Sequence, residues 1–130
     1  MAEHPNVGLL RRGYEAFAKG DMATITELWS EDIVWHWPGA GALCGDHVGR
    51  DAVFAVFGRM AELSGGDFRV EVHDVLANDE HAVALTRSIG NRQGKQLNVS
   101  NVDIYHIRGG KVTEFWSIAG DQRAEDEFWS

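Results

Sequence analysis

The chain has 130 residues, 44% hydrophobic and 25% charged, which suits one domain built around one core. Twenty acids against twelve bases give a formal net charge of −8. That leaves no basic stripe to neutralise nucleic-acid phosphates or to hold an anionic membrane surface. Cys44 is the only cysteine, so no internal disulfide can form, and no stretch approaches the ~20 apolar residues of a membrane span. No basic run followed by an apolar one opens the chain, and a cytoplasmic location is the expectation. Residues 1–130 are expected to form a single domain without linkers, repeats or low-complexity segments.

Pro5 begins a helix predicted over 5–19, with Leu10, Tyr14 and Phe17 on one face and Gly20 as its stop. Asp21, or Thr24 with Glu27 three residues on, caps a second short helix ending near Trp29. Ile33, Trp35 and Trp37 alternate in a short strand over 32–37, and Pro38 with the glycine-rich run 39–49 reads as a loop. A third helix over about 50–63 puts Val53, Val56, Phe57, Met60 and Leu63 on its apolar face. The period then changes to two. Phe68, Val70 and Val72 alternate until the phase slips at His73-Asp74, which marks a β-bulge. Asn78-Asp79 turns into a strand with Val83, Leu85 and Ile89, and Asn91 to Gly94 turns into another over 95–107. Gly109-Gly110 makes a tight turn into 111–119, and Asp121 caps a last short helix bearing Phe128 and Trp129. The fold class is therefore α+β, with helices on one face of a curved antiparallel sheet and a cone-shaped cavity at its open end.

Alternation puts Val99, Asn101, Asp103, Tyr105 and Ile107 on one face of the 95–107 strand. A carboxyl among apolar groups in a central strand is costly unless it is hydrogen-bonded or faces a cavity. Asp103 is thus the leading catalytic candidate, as a neutral donor or an ionised base, with Asn101 and Tyr105 as its partners. Tyr14 is a second candidate, as a donor if its hydroxyl points inward from the first helix, against core packing at the same helical spacing. His36 is a third, since its ordinary pKa suits proton transfer near neutral pH. Alternation sets His36 opposite Trp35 and Trp37, so a structural histidine stands beside that reading. Trp35, Trp37, Phe54, Phe57, Met60 and Phe115 are candidates for an aromatic wall around a flat ligand, against plain core packing. His73 and His81 lack metal-ligand spacing, so no metal is expected. The run Gly39 to Gly45 misses the dinucleotide-binding spacing, Cys44 has no activating base, and no Gly-x-Ser-x-Gly elbow occurs. No cofactor is expected.

Four pieces of the chain resemble the SnoaL-like branch of the nuclear transport factor 2-like superfamily, which includes ketosteroid isomerases and limonene epoxide hydrolase. They are Tyr-Glu-Ala-Phe-Ala-Lys-Gly-Asp at 14–21, Ile-Val-Trp-His-Trp-Pro at 33–38, Gly-Asp-His-Val-Gly-Arg-Asp-Ala-Val at 45–53 and Asp-Ile-Tyr-His-Ile-Arg-Gly-Gly-Lys-Val at 103–112. The resemblance implies a curved antiparallel sheet wrapped by three N-terminal helices, and a homodimer through the outer face of the sheet. It also implies that Asp103 matches the buried acid of the ketosteroid isomerase oxyanion hole. Trp37 stands where those enzymes carry their general-base aspartate, and Gly13 where their catalytic tyrosine falls. Ser117 matches the last-strand aspartate of the epoxide hydrolase, whose arginine has no match.

The expected function is cofactor-free acid–base chemistry of isomerase, cyclase or hydratase type. Its substrate would be a small, mostly apolar carbonyl compound such as a polyketide or steroid-like molecule. A non-catalytic ligand-binding or accessory dimeric domain is the alternative.

Overall fold

The computed structural model describes residues 3–130. Helix α1 (Pro5–Lys19) starts where His4 accepts a hydrogen bond from the Asn6 amide. Helix α2 (Met22–Leu28) follows, and of the two proposed caps Asp21 is the one used, taking both the amide and the hydroxyl of Thr24. Strand β1 (Trp29–Trp37) leads through a short strand β2 (Gly45–Val48) into α3 (Arg50–Ser64). Four long strands follow, β3 (Phe68–Ala77), β4 (His81–Arg92), β5 (Lys95–Arg108) and β6 (Lys111–Ala119), and α4 (Gln122–Trp129) ends the chain on its Asp121 cap. The run 39–49, expected to be loop throughout, therefore contains a strand. β2 is only four residues long and mostly exposed, so it carries no apolar alternation to betray it.

The six strands form one curved, unclosed sheet in the order β2-β1-β6-β5-β4-β3. β3 to β6 are antiparallel neighbours, as alternation implied, and the register shift between Val72 and Asp74 is the expected bulge. β1 joins β6 in parallel, a pairing that period-two patterning cannot reveal. At the β5–β6 turn, Gly109 and Gly110 both have positive φ, 60° and 77°, as a two-residue hairpin of this twist requires.

β5 lies between β4 and β6, near the middle of the sheet. Its inward positions, from Leu97 to Ile107, are all buried and its outward ones are not. α1, α2 and α3 pack on the inner face, and α4 closes over β5 and β6 at the other end of the same face. Gly90 gives α4 its seat: a Cβ there would lie 2.7 Å from the Asp67 carbonyl and 3.0 Å from the Phe128 ring. The Arg92 guanidinium donates to the carbonyls of Leu63, Phe128 and Ser130, so one side chain ties down the ends of α3 and α4. Two apolar clusters result. One gathers around α1, α2 and β1, the other around α3 and α4, with Phe17, Trp37 and Phe57 touching both.

Candidate active site

Between these clusters lies a cavity of about 90 Å³. A single water centre needs only ~10–15 Å³, so the space exceeds one solvent molecule. Trp35, Trp37, Phe57, Met60 and Phe115 stand on its wall, and Trp35 stacks on Phe115 with ring centroids 3.6 Å apart. Phe54, proposed for the same wall, does not reach it. Its place on α3 turns the half-buried side chain onto Trp29, 6.2 Å between centroids, against the edge of the core.

Asp103 faces the cavity from β5, 6% exposed. The residues opposite it on the neighbouring strands are Ala84 and Ser117, both small, which leaves its carboxyl room. The Tyr14 hydroxyl donates to Asp103 Oδ2 at 2.6 Å, and the Ser117 hydroxyl donates to Oδ1 at 2.9 Å. The Tyr105 hydroxyl in turn donates to the Tyr14 oxygen at 2.7 Å. The two rings meet edge to face at 87°. Thr86, a diagonal neighbour on β4, sits close enough to favour the ionised acid, yet its hydroxyl makes no hydrogen bond of ordinary geometry.

No cation neutralises Asp103 among the described residues. Burial raises its pKa from 3.8 to about 6, and the hydrogen bonds from Tyr14 and Ser117 hold it from rising further. Burial also pushes both phenols well above their ordinary range, helped for Tyr14 by the neighbouring Tyr105 and Asp103 charges. Tyr14 and Tyr105 are therefore neutral hydroxyls at any working pH, and within this hydrogen-bonded trio Asp103 is the group that changes charge near neutrality.

A second buried carboxyl shares the cavity. Glu125 projects from α4, 7% exposed, and its pKa is raised, chiefly by burial. Its hydrogen-bond partner is the Asn101 amide nitrogen, at a long 3.5 Å, and that nitrogen donates more closely to Ser88, at 2.6 Å. Asn101 also lines the cavity, and its side-chain oxygen has no partner. The sequence reading passed over Glu125. The available signal was its spacing: Glu125 lies three and four positions before Phe128 and Trp129, on the face that α4 buries.

His36 is not brought to this cavity. It lies on the outer face of the sheet, as alternation from Trp35 requires, stacked on Trp116 at 4.9 Å. Its Nδ1 lies 2.6 Å from Asp46 and its Nε2 2.6 Å from Glu114. A neutral imidazole has one N–H, so carboxylates on both nitrogens call for the doubly protonated ring. Burial alone would lower its pKa; the hydrogen bonds to Glu114 and Asp46 outweigh that and raise it. The ring acts as a bolt between β2, β1 and β6. Among the described residues, no group of three or more His, Cys, Asp or Glu is placed to hold a metal ion, and no helix is long and apolar enough to cross a membrane.

The profile of the SnoaL-like domain family matches residues 10–115. An uncharacterized protein of Mycobacterium tuberculosis is 33% identical over the full length of both chains. Among solved structures, Bal32a from a soil-derived mobile gene cassette is 40% identical and superposes with a TM-score of 0.93 over 96% of each chain. A protein of unknown function with a cystatin-like fold from Xanthomonas campestris is 30% identical, with a TM-score of 0.90 over 95% of this chain and 97% of its own.

Proposed function

The chain belongs to the SnoaL-like domain family, on the fold of the nuclear transport factor 2-like superfamily, and from that premise we propose that it is an acid–base enzyme acting on a small, mostly apolar carbonyl compound, of polyketide or steroid-like type. The observation that carries this reading is the chain of hydroxyls from Tyr105 through Tyr14 to a cavity-facing acid whose pKa lies at about 6. A carboxyl poised near the working pH exchanges a proton with a substrate carbon at the least cost in either direction. In the proposed step, ionised Asp103 takes the proton from a carbon next to the substrate carbonyl. The C–H electron pair moves into the new carbon–carbon double bond, and negative charge gathers on the carbonyl oxygen. Protonated Asp103 then becomes a donor to Tyr14, so the hydroxyl chain reverses and the Tyr105 O–H is freed toward that oxygen. Return of the proton to the same or another carbon completes the cycle. The step needs no cofactor.

One observation favours a second reading, a domain that binds such a ligand without changing it. Both Asp103 oxygens already accept hydrogen bonds, and Trp37 stands where the ketosteroid isomerases carry their base. Hydrogen–deuterium exchange of 2-tetralone in D₂O, followed by proton NMR, separates the two. For an enzyme, the wild type accelerates exchange beside the carbonyl above the buffer rate, the rate climbs through pH about 6, and Asp103→Asn lowers it at least about 100-fold. No acceleration by the wild type leaves the binding domain; exchange by the variant as fast as wild type removes Asp103 as the base.

The same reading includes a homodimer through the outer face of the sheet, where Val48 and Ile118 stand exposed. It also includes a cytoplasmic location, which the lone Cys44 supports.

A further inference from the structure

The two polar ends of the cavity differ in how well they satisfy themselves. At the Asp103 end every hydroxyl of the chain has an acceptor, and both carboxyl oxygens have a donor. At the Glu125 end acceptors are in excess. Asn101 sends its amide nitrogen to Ser88 and, weakly, to Glu125, and its oxygen is left without a partner. Glu125 receives that one long contact; the Trp129 indole N–H sits close enough to favour the ionised acid but makes no hydrogen bond of ordinary geometry, and no cationic partner is present among the described residues. As a carboxylate, Glu125 accepts through four lone-pair positions, and leaving them and a neighbouring carbonyl unfilled is costly. The cavity is the side from which a donor can come, because both residues line it.

We infer that the cavity takes a flat, neutral molecule with oxygen at both ends, its carbonyl against the Tyr105–Tyr14–Asp103 chain and a hydroxyl donated to Glu125 and Asn101. The inference rests on the proposed reading of Asp103 as the group beside the carbonyl. Asn101 and Asp103 are successive inward positions on one strand, about 7 Å apart. That is about the span of a fused two-ring molecule with oxygens at its opposite ends, which is larger than the 90 Å³ space and so extends from it into the cavity's open mouth. Trp35, Trp37, Phe57 and Phe115 flank the space between as ring faces and edges. Trp35 Nε1 is a buried donor without a partner on the same wall. A hydroxyl suits this apolar, aromatic-lined space better than an ammonium group, whose full charge would have to be desolvated. Glu125 is then the residue that selects for the hydroxyl, and Asp103 the one that works on the carbonyl.

Two probes that differ by one hydroxyl test this: 6-hydroxy-2-tetralone and 2-tetralone, titrated calorimetrically into wild type, Glu125→Gln and Glu125→Met. In the wild type the hydroxylated probe should bind at least about tenfold more tightly, because a site built to pair a hydroxyl is left with unfilled acceptors by the analogue that lacks it. Glu125→Gln keeps an acceptor and should retain about threefold. Glu125→Met, unbranched and apolar, should abolish the advantage while both probes still bind. Equal affinity of the two probes for the wild type overturns the inference, as does an advantage that survives in Glu125→Met or a failure of the wild type to bind the hydroxylated probe. The reading of Asp103 is judged separately by exchange of 2-tetralone, which has no hydroxyl to offer Glu125.

Discussion

Asp103 holds its proton to higher pH in the folded chain than in the unfolded one, because burial disfavours its charge. Between pH 3.8 and about 6 the native state therefore binds more protons, and stability falls as pH rises through that window. The full penalty is present above it and amounts to roughly 3 kcal/mol. Asp103→Asn carries no charge to desolvate, and an amide can still accept from Tyr14 or Ser117. Urea unfolding should find the variant more stable than wild type by about 1–3 kcal/mol at pH 8 and no more stable at pH 4, while its tetralone exchange is lost. A group whose removal strengthens the fold and abolishes turnover is held for chemistry rather than for stability. No gain at pH 8 would mean that the carboxyl is better solvated than its burial implies.

The elements around the site are fastened at particular points. β2 is an edge strand with little buried surface of its own, and His36 links it, through Asp46, to β1 and through Glu114 to β6. Its raised pKa gives the sign of the effect. The contribution is complete below the unfolded histidine value of about 6.5 and disappears as pH rises through the higher folded value. His36→Ala should cost about 1 kcal/mol at pH 5.5 and less at pH 9, because the charged form is lost as pH rises, as read from denaturant midpoints at the two pH values. An equal cost at both would assign the effect to stacking on Trp116 alone. On the opposite face, α4 owes its depth to Gly90, and that depth carries Glu125 into the cavity.

Over the whole molecule, one face of the sheet is covered by helices and the other is bare. Val48, Leu76 and Ile118 on the bare face are 67%, 56% and 57% exposed, a distribution that suits a second copy of the chain. Light scattering should give a mass of about 29 kDa for the wild type, twice that of the 14.4 kDa chain. Ile118→Lys should shift it toward the single-chain mass without changing 2-tetralone exchange, because Ile118 lies on the face of β6 away from the cavity. A wild-type mass of one chain would remove the dimer and leave the cavity reading intact.

Local periodicity determined a large part of this protein. The alternation from Val99 to Ile107 marks the inner face of β5 residue by residue, the slip at His73-Asp74 marks the bulge, and the same alternation sets His36 away from Trp35. Such signals are legible because each depends on a few neighbouring residues and one period. Tertiary structure alone decided which faces meet. It brought Tyr14 onto Asp103 across 89 residues, paired β1 with β6 in parallel, turned Phe54 onto Trp29 and carried Glu125, on the inner side of α4, into the cavity. Those outcomes depend on how whole elements pack, a sum over contacts distant in the chain, and no single stretch of sequence records it.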